Sequence, residues 1–386
     1  MQKALMNPQS PISPVIGVDG YNLTDGGQPN SIRHYLTEIL RFARPEIWGN
    51  ELHCITKQVA QSPLEAIKNP SLSWDPTAGG SFTWRHLNFK KAAKELGLDA
   101  VWFPCHAVPF LYTLPNVVTL HDISFILFPE MGDWKGNLYH SLMLWRSLSQ
   151  ASHMISVSQF TADEVMKKYR IPAKRITVIH HGVTKPPEME SRKSQDEALR
   201  LIGISDRFFL FLDGTKSRKN LQFLLSLLQD HPKKWLGEYQ FVITGNETTL
   251  RQMITMAGLG EWVGTRIILP GFIPDSTLDT LFRNATALLY LSLYEGFGFP
   301  AIEAFSRKCP VVALNASSVP EVAGDAAIYV NPGDQNGLGE AMNSVGQENV
   351  RQQMIRLGEK EILRFDWQRA SDTTGEVISM VAKNGF

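Results

Sequence analysis

The alternation of short apolar runs with helix-patterned stretches constrains this 386-residue chain more than any other feature. Parallel strands need crossover helices and are covered on both faces, so continuous apolar runs separated by amphipathic segments predict parallel α/β architecture. Candidate strands in the first half are Pro14–Asp19, Ala100–Phe103, Val117–Leu120, Met154–Val157 and Ile176–Ile179. In the second half they are Phe208–Leu212, Tyr239–Thr244, Arg266–Leu269, Ala287–Leu291, Val311–Ala313 and Ala327–Val330. After the first run, Ile32, Tyr35, Leu36, Ile39 and Leu40 share one helical face. Thr161-Ala-Asp-Glu164 reads as a capping box opening a helix to Tyr169. Residues 184–200, with Pro186, Pro187 and alternating charges, predict a linker. Two doubly wound domains facing each other across a cleft are therefore expected, with ligands beyond the carboxyl ends of the strands.

Composition removes several classes of function. Lys and Arg together number 38, as do Asp and Glu, and this zero balance argues against a chain devoted to gripping nucleic acid. Residues 1–185 carry 18 basic against 14 acidic side chains, only a mildly basic excess. No apolar run reaches the roughly 20 residues of a membrane span. Pro8, Pro11 and Pro14 stand where a signal peptide would carry its apolar stretch, so a cytoplasmic location is the expectation. Cys54, Cys105 and Cys309, widely spaced and without C-x-x-C, read as reduced structural thiols.

The densest chemical signal is Leu291-Ser-Leu-Tyr-Glu295-Gly-Phe-Gly-Phe-Pro300-Ala-Ile-Glu303. A strand ends, a glycine-bearing turn follows, and Pro300 sits where a helix begins and its missing N–H costs nothing. Free N–H groups there suit an anion, and Glu295 and Glu303 bracket the turn so that both are expected to face the same pocket as acceptors for vicinal hydroxyls. Taken singly, Glu303 would merely complement the helix dipole and Glu295 would be a solvated loop charge. A second signal is Asp213-Gly-Thr-Lys-Ser-Arg218-Lys219-Asn220, before the apolar helix pattern Leu221, Leu224, Leu225, Leu228. Cations at a helix N-terminus oppose the dipole and point to an anionic ligand; the alternative is a solvated basic turn. A third is His121-Asp122, closing the Val117–Leu120 strand, although most isolated histidines are structural. His180-His181 lacks a third ligand at metal-site spacing, and D-x-D, the P-loop and G-x-S-x-G are all absent.

Together these clusters resemble the retaining nucleotide-sugar glycosyltransferases of family 4, with GT-B architecture. The resemblance runs through Asp25-Gly26-Gly27, Thr119-Leu-His121-Asp122, Ser156-Val-Ser158-Gln-Phe and Ile176-Thr-Val-Ile-His-His-Gly182-Val. It continues through Gly214-Thr…Arg218-Lys219-Asn220-Leu, the Glu295…Glu303 block and Val319-Pro-Glu-Val-Ala-Gly-Asp-Ala326. It implies that Arg218 and Lys219 hold the donor diphosphate and meet its developing charge without metal or other cofactor. It implies that Glu303 binds the nucleotide ribose, while Glu295 and the N–H groups of Phe297, Gly298 and Phe299 hold the donor sugar. His121 would reach that sugar from the opposing domain, and Gly27 would let the backbone approach the diphosphate. Implied domains are 1–183 on the acceptor side and 201–365 on the nucleotide-sugar side, with 184–200 between them and 366–386 crossing back. Departures from the family pattern are Arg307-Lys308-Cys309 before Pro310, His180-His181 in place of Pro-Asn, and a loop from Gly26 to Ser31 without its third glycine.

The expected partners are a nucleotide-sugar donor, with GDP-mannose the first to test, and a glycan or lipid-linked glycan acceptor. Contact with the cytoplasmic face of a membrane is expected, and contact with nucleic acid is not. Three other classes compete. Gly296-Phe-Gly298-Phe-Pro-Ala301 scans as a dinucleotide fingerprint of a nicotinamide-dependent oxidoreductase, but it follows the fourth strand of its half rather than the first. A nucleotide-sugar epimerase of the same architecture, acting without an acceptor, is the second. A non-catalytic carbohydrate-binding relative is the third.

Overall fold

The computed structural model describes residues 13–23, 31–57, 67, 69, 71–77, 80, 83–106, 108–127, 134–188 and 190–384. Two parallel sheets organise them. The first contains β1 (Val15–Asp19), β2 (Glu51–Thr56), β3 (Leu72–Pro76), β4 (Ala100–Phe103), β5 (Asn116–Leu120), β6 (His153–Ser156) and β7 (Ile176–Val178), in the order β3-β2-β1-β4-β5-β6-β7. The second contains β8 (Phe208–Phe211), β9 (Gln240–Ile243), β10 (Ile267–Ile268), β11 (Ala287–Tyr290), β12 (Val311–Leu314) and β13 (Ala327–Val330), in the order β10-β9-β8-β11-β12-β13. Every strand pair is parallel. Each sheet therefore reverses its winding once, between β1 and β4 and between β8 and β11, and such reversals open crevices at the strand ends. This is the GT-B architecture: two Rossmann-like α/β domains.

Burial explains which strands stood out in the sequence. β4, β8, β11 and β12 are buried along their whole length and read as unbroken apolar runs, and β5 and β9, equally buried, hold Asn116, Thr119 and Gln240 among apolar neighbours. β2 and β3, absent from the sequence expectation, lie toward one edge. In β2, Leu52 and Cys54 are buried while Glu51 is exposed, and β3 ends in Pro76 at the sheet edge, where a missing N–H costs no ladder bond.

Two local expectations are corrected. The cap of the Gln159–Tyr169 helix is Ser158, whose Oγ accepts from the Thr161 N–H at 3.1 Å; Thr161 lies inside the helix. The 184–200 stretch is extended only in its first part and then forms the helix Arg192–Leu201, capped by Ser191, whose Leu199 joins the second core. Sparse apolar residues hid it, because one buried leucine and Gln195 suffice to seat it.

The last helix, Trp367–Asn384, leaves the second sheet and packs on the first. Trp367, Ala370, Val377, Ile378 and Val381 share a core with Ile16, Leu36 and Trp102. Ser371 Oγ donates to the Ile39 carbonyl at 2.8 Å, and Trp48 Nε1 donates to the Ser371 carbonyl at 3.1 Å. Gly182 permits this return, since a Cβ there would lie 2.3 Å from the Trp367 backbone nitrogen. Cys54, Cys105 and Cys309 are buried free thiols.

Candidate active site

Because β8 and β11 are neighbours, the loops that follow them meet although they lie 76 residues apart in sequence. After β8 a tight turn, Ser217–Lys219, ends at Asn220 with φ +62° and leads into the helix Leu221–Asp230. After β11 comes Glu295. Arg218 Nη1 lies 2.6 Å from Glu295 Oε2, and Lys219 Nζ lies 2.6 Å from Oε1. Lys219 and Glu295 are both buried. Burial pushes the Glu295 carboxyl up, but the charges of Lys219 and Arg218, with the hydrogen bond from Lys219, outweigh it and hold the group below its ordinary range. Burial likewise lowers the Lys219 ammonium, against the pull of Glu295. The arrangement is two cations converging on one carboxylate at a crevice-forming reversal of the sheet. An entering polyanion can compete for both cations.

Two serines support the loop from beneath. Ser318 Oγ donates to the Glu295 carbonyl at 2.9 Å and to the Phe297 carbonyl at 2.6 Å, and the Glu295 N–H donates to Ser317 Oγ at 3.0 Å. Gly298, at φ +129°, turns the chain into the helix Phe299–Ser306, which has Pro300 in its first turn. The N–H groups of Phe297, Gly298 and Phe299 have no acceptor among the described residues. Glu303, in that helix, faces a different environment, a cavity of about 410 Å³ lined also by His34, Thr184, Asp275, Phe299 and Arg307. Burial lifts its carboxyl above the usual range, opposed by Arg307 and reinforced by Asp275. The two carboxylates therefore do not face one pocket as the spacing predicts: Glu295 lies before the helix and is neutralised by the cations after β8, whereas Glu303 lies within the helix and is open to a cavity.

His121 comes from the first sheet, at the end of β5. Its Nε2 lies 2.8 Å from the Pro104 carbonyl, which can only accept, so Nε2 carries the proton. Burial lowers its pKa, which keeps the ring neutral. Nδ1 is then a lone-pair acceptor, fit for a hydroxyl donor. The His121 ring stacks on His181 (centroids 5.6 Å apart, 17° between planes), and His181 stacks on Phe299 (4.5 Å, 15°), so three rings bridge the two sheets. Gly27 lies outside the described residues.

Comparison with known proteins gives the family. The family described as Glycosyltransferase Family 4 matches residues 34–185, and Glycosyl transferases group 1 matches residues 196–361. The chain is a glycosyltransferase of the family 4 type. Among similar curated proteins, O-antigen chain mannosyltransferase B of Escherichia coli is 28% identical over 264 residues, covering 67% of this chain and 68% of that one. O-antigen chain mannosyltransferase RfbU of Salmonella typhimurium is 26% identical over 246 residues, 63% of each chain. Among solved structures, WaaG, a glycosyltransferase involved in lipopolysaccharide biosynthesis, superposes with a TM-score of 0.70 at 12% identity, covering 94% of this chain and 99% of that one. Anabaena HepE in complex with UDP and glucose gives a TM-score of 0.70 at 20% identity, covering 95% and 99%.

Several residues of this glycosyltransferase were not singled out as site residues from sequence. His181 carries the stack between the sheets, a role its sequence position, read as a poor metal ligand and as a departure from the family's Pro-Asn, does not suggest; among the described residues no group of three or more His, Cys, Asp or Glu could hold a metal ion. Ser158 and Thr161 donate to the Gly296 carbonyl at 2.6 and 3.0 Å, a link across about 140 residues that no local pattern announces. Ser317 and Ser318, beneath the loop, had no signal beyond their place after a strand.

Proposed function

We propose that this glycosyltransferase moves a hexose from a nucleotide-diphosphate sugar to a hydroxyl of a glycan or lipid-linked glycan, with retention and without metal, in bacterial surface polysaccharide synthesis. GDP-mannose is the first donor, by analogy with the O-antigen mannosyltransferases it resembles. The observation that carries the reading is the pair Arg218 and Lys219 converging at Glu295, opposite the neutral His121 of the other sheet. On donor binding, the two cations pass from Glu295 to the diphosphate. Glu295 and the unpaired N–H groups of Phe297, Gly298 and Phe299 then hold the sugar, and Glu303 receives the ribose hydroxyls. The anomeric C–O bond breaks with its electron pair leaving on the diphosphate oxygen. The acceptor hydroxyl attacks from the same face and gives its proton to that oxygen. Cationic side chains stabilise the departing charge at the place where it develops, which is the largest electrostatic contribution available.

The reading includes a cytoplasmic location and peripheral contact with an anionic membrane, where a lipid-linked acceptor resides. No described helix is long and apolar enough to cross a membrane. The helix Trp134–Gln150 exposes Leu138 (63%), Leu142 (47%) and Trp145 (59%) on one face and contains no acidic residue. Near the C-terminal end of the same helix, Arg146 lies 4.4 Å over the Phe110 ring, and Lys90 Nζ donates to the Phe110 carbonyl, so two cations gather around Phe110. Such a cationic cluster complements anionic headgroups. Co-sedimentation with phosphatidylglycerol vesicles but not with pure phosphatidylcholine is expected. Equal recovery in both supernatants removes the membrane contact.

The test of the reaction is a panel of nucleotide sugars, read by nucleotide released and by the anomeric configuration of the product, in excess chelator. One donor should give a retained product with undiminished rate. Loss of all activity in chelator, restored by Mn²⁺ or Mg²⁺, contradicts the role given to Arg218 and Lys219.

A further inference from the structure

We propose that Glu321 is a positioning residue of the transfer reaction: seated on the first domain's Gln159–Tyr169 helix, it sets where the donor loop stands against His121. The proposal rests on the transfer reading above. Glu321 belongs to the helix Val319–Ala323, which follows β12 of the second sheet. Its Oε1 accepts from the Gln159 N–H at 2.7 Å and its Oε2 from the Phe160 N–H at 2.9 Å. His180 Nε2, also from the first domain, lies 2.7 Å from Oε1 and must carry the proton, because the carboxylate only accepts. The first N–H groups of a helix have no partner within it and bear partial positive charge, so a carboxylate is their natural complement. Here the complement comes from the other domain.

The same helix end grips the second domain at another point. Ser158 Oγ and Thr161 Oγ1 both donate to the Gly296 carbonyl, and Gly296 is the residue between Glu295 and Phe297. A Cβ on Gly296 would stand 1.8 Å from the His121 carbonyl oxygen, so the donor loop and the end of β5 touch backbone to backbone. One helix terminus therefore holds Glu321 through two N–H groups and the donor loop through two hydroxyls. Glu321 touches no group assigned to donor or acceptor. Its influence runs through the helix to Gly296, and so to the distance between His121 and the sugar.

The experiment compares wild type, Glu321→Ala and Glu321→Gln in the full chain. Transfer kinetics, binding of GDP and UDP, donor hydrolysis, and small-angle scattering with saturating nucleotide are measured. Misplacement of about an ångström lowers turnover by on the order of 100-fold, so Glu321→Ala should lose between about 10- and 100-fold in kcat. Nucleotide affinity should stay within about twofold, because the nucleotide is held by the second domain. Hydrolysis should rise relative to transfer as water enters the looser cleft, and Glu321→Gln, which keeps the shape and one acceptor oxygen, should fall between. Nucleotide-bound Glu321→Ala should have a larger radius of gyration than wild type. Unchanged kcat, a parallel loss of nucleotide affinity, or equal radii overturns the proposal. If Glu321→Ala does not fold, Glu321→Gln answers the same questions. Should wild type transfer no sugar from any donor, the transfer reading fails, and a failure confined to the Glu321 variants is thereby distinguished from it.

Discussion

At the end of β11 a carboxylate sits between two cations, with Glu295 and Lys219 buried; at the end of β5, facing it, stands a neutral histidine bonded to a backbone carbonyl. The two sheets reverse their winding at corresponding places, β1/β4 and β8/β11, yet the cation pair stands at the reversal of the second sheet while His121 follows β5, one strand beyond the reversal of the first. The second domain concentrates formal charge and can exchange one anion, Glu295, for another. The first domain offers uncharged donors and acceptors, among them His121, Ser158, Thr161 and the helix N–H groups, whose task is to meet what the second domain holds. An ion pair buried this deeply is weak evidence for stability, and two cations converging at a strand end make a candidate site for an anionic ligand.

The sharpest test removes a cation. Lys219→Ala leaves Glu295 with Arg218 alone, so it should cost less stability than the about 3–5 kcal/mol lost when a buried charge is left with no partner. Loss of diphosphate stabilisation costs about 2–4 kcal/mol in the transition state, roughly 30- to 1,000-fold in rate. Lys219→Met with Glu295→Gln should recover the melting temperature and leave activity lost. Recovery of activity would erase the contrast between the domains.

Next comes the meeting surface. Gly296→Ala cannot keep the present contact with the His121 carbonyl. It should lower kcat by on the order of 100-fold while nucleotide affinity, measured by calorimetry, stays near wild type. Normal turnover would mean that the two domains need not approach this closely.

His121→Ala removes one neutral hydrogen bond to the sugar and should cost about tenfold in kcat, sparing nucleotide binding. A fall in GDP and UDP affinity would place His121 on the nucleotide instead.

The smallest effect concerns pH. Glu295 and Glu321 are held below the ordinary carboxyl value of 4.5, so their contribution to stability is full above that value and fades as pH falls through their lower folded values. Glu303 is held above 4.5, so its ionised form opposes folding at neutral pH and the penalty disappears as pH falls through its raised value. Glu303→Gln should raise the melting temperature at neutral pH, lose that advantage in acid, and weaken nucleotide binding. A melting temperature that drops at neutral pH would show that Glu303 is stabilised rather than strained in the free enzyme.

Legibility followed burial and locality. The fully buried strands are readable because both faces need mostly apolar side chains, whereas the edge strand β3 and its neighbour β2 carry polar residues where water reaches them. The helix Arg192–Leu201 was mistaken for linker because its contact with the core needs little apolar surface. Arg218, Lys219, Glu295 and Glu303 were legible because each lies in a compact motif at a strand end. Glu321, His181, Ser158 and Thr161 lie in segments the sequence marks, but nothing local announces the contacts they make across the two domains, and Ser158 rather than Thr161 provides the helix cap.

By itself the sequence determined that the chain forms two parallel, doubly wound sheets, since hydrophobic periodicity and strand-end motifs are local properties of the polypeptide. It also determined which loops carry charge. Only the tertiary structure decided that Glu295 joins Arg218 and Lys219 while Glu303 faces a separate cavity, because strand order, not sequence distance, brings β8 beside β11. It alone decided that the first domain's helix end receives Glu321 and the Gly296 carbonyl, since those contacts exist only when two independently wound domains face each other and unpaired backbone groups of one find their acceptors on the other.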